Sequence, residues 1–137
     1  AERELTTLAR RLSWHPGELQ VEDRSDSLGP GNVVMAEVQS AEVTELFTAF
    51  GKKGVPAEAV AHDLADEVEA YLAAEVPVGP HLADQLLLPL ALAGGGSFVT
   101  TTPTPHTRSQ MTLIPQFLNH RIEAHPTALR HWRVSIG

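Results

Sequence analysis

A chain of 137 residues that is 42% hydrophobic and 20% charged can bury a core, which excludes wholesale disorder and leaves room for one domain or two small modules. No run approaches the roughly 18 apolar residues that a membrane helix needs; the longest, Leu86 to Ala93, is interrupted by Pro89 and stops at Gly94-Gly95-Gly96. Zero Cys excludes disulfides, thiolate zinc sites and cysteine nucleophiles, and a net charge of −7 gives no global pull towards nucleic acid, so such contact needs a local basic patch or residues outside the chain.

A helix is predicted at once, because Leu5, Leu8, Ala9 and Leu12 follow helical spacing. Neither a cap nor an initiator Met precedes it, and no basic-then-apolar leader is visible; the expectation is a trimmed piece of a longer chain. Two strand-like segments follow, Glu18 to Asp23 and Asn32 to Gln39, the second alternating Val34, Ala36, Val38 against Val33, Met35, Glu37. A turn signal, Ser25 to Asn32, separates them. Thr44 to Phe50 reads as a third strand with Leu46 and Phe50 on one face, and Gly51-Lys52-Lys53-Gly54 as a turn. Pro56 sits where a first helical turn tolerates it, opening an amphipathic helix from Ala57 to Glu75. Its stripe is Val60, Leu64, Val68, Tyr71 and Leu72; Glu58, Asp63, Asp66, Glu67 and Glu69 form a solvated face without chemistry.

Val76-Pro77-Val78-Gly79-Pro80 then marks the best module boundary. His81 to Ala93 is almost wholly apolar and predicts a helix buried all round, except at Asp84 and Gln85. Two readings of that pair stand side by side. Asp84 is either a polar first-turn residue favourable to the helix dipole, or part of a helix N-terminus that holds an anionic or polar ligand. Gly94-Gly95-Gly96 ends the helix, and Ser97 to Thr102 is β-rich. A further helix is expected over Thr107 to Leu118, with Met111, Ile114, Phe117 and Leu118 inward and Pro115 distorting it. His106 therefore lies at a strand-to-helix junction, where α/β folds place ligands. A helix N-terminus, with Arg108 two residues on, disfavours further positive charge there and attracts phosphate. A plain surface histidine in a Pro-rich loop fits the same spacing.

The chain closes in a predicted hairpin, Arg121 to His125 and Leu129 to Ile136 around Pro126-Thr127. The spacing of His120, His125 and His131 is not that of a zinc site, so no metal ligand is assigned. Arg121, Arg130 and Arg133 form the basic cluster. Walker loops, dinucleotide fingerprints and zinc-protease motifs are missing.

Three segments carry a resemblance: Gly29-Pro30-Gly31-Asn32; the run Val78-Gly79-Pro80-His81-Leu82-Ala83-Asp84-Gln85-Leu86-Leu87-Leu88-Pro89-Leu90-Ala91-Leu92-Ala93-Gly94; and Pro103-Thr104-Pro105-His106. In this order the chain resembles the RNA 3′-terminal phosphate cyclase family over essentially its whole length, and resembles only the C-terminal part of those longer chains. The resemblance implies an α+β fold. Residues 1–76 would be most of a small inserted α/β domain, and 77–137 the last βα unit and closing strands of the large cyclase domain.

It also implies a reaction that ends in a 2′,3′-cyclic phosphate. A histidine attacks ATP at the α-phosphate and carries AMP to an RNA 3′-phosphate, whose neighbouring 2′-hydroxyl then closes the ring. His106 matches the nucleophile, and His81, Leu82, Ala83, Asp84 and Gln85 match the segment lining the ATP site. The implied partners are ATP, RNA 3′-phosphate ends, a divalent Mg or Mn ion with ligands mainly outside this segment, and the N-terminal part of the same protein. The segment alone is expected to be inactive, its location cytoplasmic and without membrane contact. Two departures stand out: His81 where the family generally carries Tyr or Phe, and Thr107-Arg108-Ser109-Gln110 where it favours Leu-Leu-Thr-Asn. The alternatives are a non-catalytic cyclase-like protein of ribosome assembly, which lacks the nucleophile, and an unrelated α+β interaction module presenting its acidic helix.

Overall fold

The periodicities of the sequence become four helices and five strands among the described residues, 1–24 and 26–137 of this computed structural model. The predicted turn begins at Ser25, which lies outside the described residues. Mixed helix and sheet is the α+β class expected. The chain separates into two compact units, 1–38 with 46–70, and 39–45 with 71–137.

In the first unit, helix α1 (Glu2–Leu12) buries Leu8 and half-buries Leu5, Ala9 and Leu12 along one stripe. Glu4 is buried too, and its carboxylate accepts the Asn32 side-chain amide at 2.7 Å. The strand predicted over Glu18 to Asp23 does not form. Instead Pro16–Glu18 makes a 3-10 turn, where the Glu18 carboxylate folds back to accept the His15 N–H at 2.6 Å. Residues 19–24 have no strand partner among the described residues, and alternation makes a strand only where a neighbour completes the ladder.

Strands β1 (Val33–Gln39) and β2 (Thr44–Phe50) form a hairpin. Val34, Ala36 and Phe47 are buried; Leu46 and Phe50 do share a face, and it is the exposed one. Helix α2 (Ala57–Ala74) buries Val60, Leu64 and Val68 together with Ala61 and Ala65, while Leu72, predicted on the stripe, is exposed. Within this unit Arg11 of α1 bridges to Asp66 at 2.8 Å and to Glu69, tying α1 to α2.

The second unit contains the Val76–Pro80 segment that the sequence marks as a break. Hydrogen bonds hold it: Tyr71 Oη donates to the Pro77 carbonyl at 3.2 Å, the Val78 N–H to Val99 at 3.2 Å, and the Gly79 N–H to the Glu45 carboxylate. Helix α3 (Pro80–Leu92) follows. It buries Ala83, Leu87 and Ala91, one residue per turn, but Leu88 and Leu92 are exposed. The helix predicted to be buried all round is buried along one stripe.

Strand β3 (Gly96–Thr100) opens a three-stranded sheet of order β3-β5-β4, antiparallel throughout, with β4 (Ile122–Ala128) and β5 (His131–Ile136). Gly95, at φ 120°, lies so close to the sheet that a methyl group there would stand 2.7 Å from the Ile136 carbonyl, which makes glycine necessary. Leu87, Val78, Phe98, Ile114, Ile122, Val134 and Ile136 make the core of this unit. Helix α4 (Pro105–Leu113) ends earlier than predicted. Pro115 has no N–H to continue the ladder, so Ile114–Gln116 tightens into a 3-10 turn and Phe117 is exposed instead of inward.

The closing turn also moves, from Pro126-Thr127 to Leu129-Arg130. Pro126 stays inside β4 opposite Trp132, beside an irregularity before Ala128. A proline is tolerated at such a place on an edge strand, which β4 is among the described residues. Among the described residues no helix is long and apolar enough to cross a membrane.

Candidate functional site

The site is built on two strand-like stretches that run side by side. Val78 forms a parallel bridge with Thr100, the last residue of β3. Immediately beyond these residues the chain turns into α3 on one side and towards α4 on the other. Both helix starts therefore leave from beside the carboxyl end of β3. Helices α3 and α4 then pack against each other.

On α3 the five predicted residues divide by environment. Ala83 is buried in the core and Leu82 packs against it, so these two hold the helix in place. His81 and Gln85 are exposed, and Asp84 is half-buried. Asp84 Oδ1 is fully covered yet has no hydrogen-bond partner among the described residues. Burying a carboxylate oxygen without a donor costs free energy, so Asp84 gains from a ligand or solvent that donates to it.

His106 is the second residue of α4 and is exposed. The turn that presents it is locally fixed. Thr104 caps the helix, its Oγ1 accepting the Thr107 N–H at 3.1 Å; Pro105 supplies the preset first helical residue, and Thr107 is wholly buried. Arg108 is tied down: its Nε donates to the Pro103 carbonyl at 3.1 Å, and its guanidinium carbon lies 5.9 Å from the Trp132 ring centroid. The first turn of α4 thus carries an exposed imidazole on a buried, capped anchor.

Sequence reasoning missed Glu45. This residue of β2 is 3% exposed, and its carboxylate takes the N–H of Gly79, the residue that caps α3. Burial pushes the Glu45 carboxyl above the usual carboxylate range, opposed by the Gly79 N–H and by the charge interaction with His81. Burial also raises the Tyr71 phenol, and the negative charge of Glu45 adds to that. The available signal was parity: Glu45 alternates with Phe47 on one side of a strand whose other side shows Leu46 and Phe50.

The histidines near the end of the chain do not converge. His131 Nε2 donates to the Ala74 carbonyl at 2.9 Å, His125 lies 3.6 Å from Glu123, and His120 Nδ1 is buried without a hydrogen-bond partner among the described residues. Among the described residues no three His, Asp or Glu side chains gather as a metal set. Arg121 of the basic cluster pairs with Glu123 at 2.7 Å.

Comparison with known proteins gives this geometry a family. The family model for RNA 3′-terminal phosphate cyclase matches residues 3–124. The chain belongs to the RNA 3′-terminal phosphate cyclase family. An RNA 3′-terminal phosphate cyclase of Ectopseudomonas mendocina (strain ymp) is 48% identical over 122 residues, 89% of this chain and 36% of the relative. Another, from Koribacter versatilis (strain Ellin345), is 47% identical over 118 residues, 86% and 33% respectively. One from Salmonella enteritidis PT4 (strain P125109) is 43% identical over 126 residues, 92% and 37%. The chain spans about a third of the length of the curated cyclases it matches.

Proposed function

We propose that this segment supplies the nucleotide-binding turn and the nucleophilic histidine of an ATP-dependent RNA 3′-phosphate cyclase acting in the cytoplasm. The observation that carries the reading is the parallel bridge between Val78 and Thr100, which starts α3 and α4 from beside the carboxyl end of β3. In this reading His106 faces the same ligand as His81, Asp84 and Gln85, residues 1–76 are part of the small inserted domain, and 77–137 close the catalytic domain.

The proposed chemistry splits one difficult substitution into easier ones. An imidazole nitrogen of His106 attacks the α-phosphorus of ATP; the bond to the bridging oxygen breaks, and pyrophosphate leaves. An oxygen of the RNA 3′-phosphate takes the AMP from histidine. The neighbouring 2′-hydroxyl, losing its proton, attacks the activated 3′-phosphorus, expels AMP and closes the 2′,3′-cyclic phosphate. His106 needs exposure and a fixed direction for this, which the Thr104 cap and buried Thr107 provide. His81 offers a ring on which the base stacks, with less area than Tyr or Phe. Asp84, with its unpaired Oδ1, and Gln85 offer polar contacts to the nucleoside.

A divalent Mg or Mn ion accompanying ATP would neutralise phosphate charge. Its ligands are proposed to come from the part of a longer chain that precedes residue 1. The presence of His106 favours the catalytic reading over a non-catalytic cyclase-like protein. Incubating the full-length protein with α-labelled ATP tests it: acid-labile label on native protein, absent from His106→Ala, is the expected result. Label retained by a folded His106→Ala protein overturns the assignment.

A further inference from the structure

We infer that Glu45 is a positioning residue for the turn that begins α3, and through it for nucleotide binding. This rests on the reading of His81–Gln85 as the nucleotide-binding turn.

Glu45 is a carboxylate at 3% exposure on the inward face of β2, beside Phe47, and the chemistry proposed above makes no use of it. A buried acid is expensive unless it makes strong hydrogen bonds. Its partner is a backbone N–H, that of Gly79 at the N-cap of α3. Capping ordinarily comes from the side chain of the N-cap residue itself; glycine has none, and the next residue, Pro80, has no N–H to offer. A strand far away in sequence therefore supplies the anion that a helix start favours.

Glycine at 79 is part of the same device. A methyl group there would lie 2.9 Å from Glu45 Oε1 and 3.1 Å from Oε2, so the carboxylate approaches only because no side chain intervenes. The effect reaches the ligand side of the turn. His81 follows two residues later and interacts electrostatically with Glu45. Fixing Gly79 fixes where α3 begins, and so the direction in which His81, Asp84 and Gln85 point. Glu45 itself is covered, so it acts through the turn and not by contact with a ligand. Its predicted signature is altered ATP binding with the chemical step preserved.

The test is steady-state cyclisation of an RNA 3′-phosphate by the full-length protein at varied ATP, together with hydrogen exchange of the Gly79 amide. Losing one charge-assisted hydrogen bond corresponds to about tenfold, so Glu45→Ala is expected to raise KM for ATP about tenfold while kcat changes less than about twofold. Glu45→Gln keeps a carbonyl acceptor for the Gly79 N–H and should restore KM to within about twofold of native. Gly79→Ala, which pushes the carboxylate away, should resemble Glu45→Ala. An unchanged KM in Glu45→Ala, or equal damage in Glu45→Gln and Glu45→Ala, overturns the inference. Should Glu45→Ala fail to fold, Glu45→Gln and Gly79→Ala decide: native KM in the first with raised KM in the second supports it, and any other pairing overturns it. Should the native protein take up no AMP at all, the proposed function falls. The Gly79 amide then decides for Glu45 separately: faster exchange in Glu45→Ala than in Glu45→Gln retains its hold on α3, and equal exchange removes it.

Discussion

At His106, exposure and anchoring are separated by one residue. The imidazole faces outward while Thr107 is wholly buried and bonded through Thr104. Replacing His106 by Ala should therefore leave folding intact, seen as an unchanged circular dichroism melt, and abolish AMP attachment in the full-length protein. His106→Asn should fail equally, since an amide nitrogen is not nucleophilic. Asp84 is a different case. Because Oδ1 is covered without a donor, Asp84→Ala removes an uncompensated polar atom along with a proposed ligand contact. The expected outcome is weakened but measurable adenylylation, with stability unchanged within about 0.5 kcal/mol or improved, measured by denaturant titration. A large loss of stability would show that Asp84 serves the fold. His106 and the His81–Gln85 run were visible in the sequence as candidates because motif residues are contiguous. Glu45 was not, because its meaning comes from Gly79, a partner distant in the chain.

Helix α4 shows how local signals set an element. The helix expected over Thr107 to Leu118 in fact starts at Pro105 behind a Thr104 cap and stops at Leu113 ahead of Pro115, so the local residues set its ends more sharply than the apolar spacing that announced it. Thr104→Ala should cost about 1 kcal/mol through the lost cap, and it should loosen His106, so labelled-AMP uptake should fall while the overall fold persists. For α3 the apolar run said helix but not which side is inside. Leu87 is 0% exposed and Leu92 68% exposed, though both are leucines on one helix. Leu87→Ala should therefore destabilise by about 2–5 kcal/mol in denaturant, whereas Leu92→Ala should stay within about 0.5 kcal/mol. Equal costs would mean that Leu92 is covered in the folded protein. The closing hairpin makes the same point for strands: Pro126-Thr127 reads as a turn, but cross-strand pairing with β5 carries β4 past it.

For the molecule as a whole, Glu45 links stability to pH. Its carboxyl is raised by burial, so the folded chain holds that proton more tightly than the unfolded chain does. The associated stability is complete below the ordinary glutamate range and lost as pH rises through the raised value. Glu45→Gln carries no such term, so the stability difference between Glu45→Gln and native should grow in favour of the variant as pH is raised from the ordinary value of 4.5, followed by denaturant midpoints. A difference independent of pH would mean that Glu45 is not raised. The sequence alone determined what depends on near neighbours: helix periodicity, the glycine run that ends α3, and the ordered motifs that mark the cyclase family. Tertiary structure decided what depends on distant partners. It left Glu18 to Asp23 without a ladder, turned Leu46 and Phe50 outward, and brought a buried carboxylate to Gly79. The reason is physical: helix periodicity and glycine stops are settled within a few residues, whereas a face becomes inside or outside only when another element covers it.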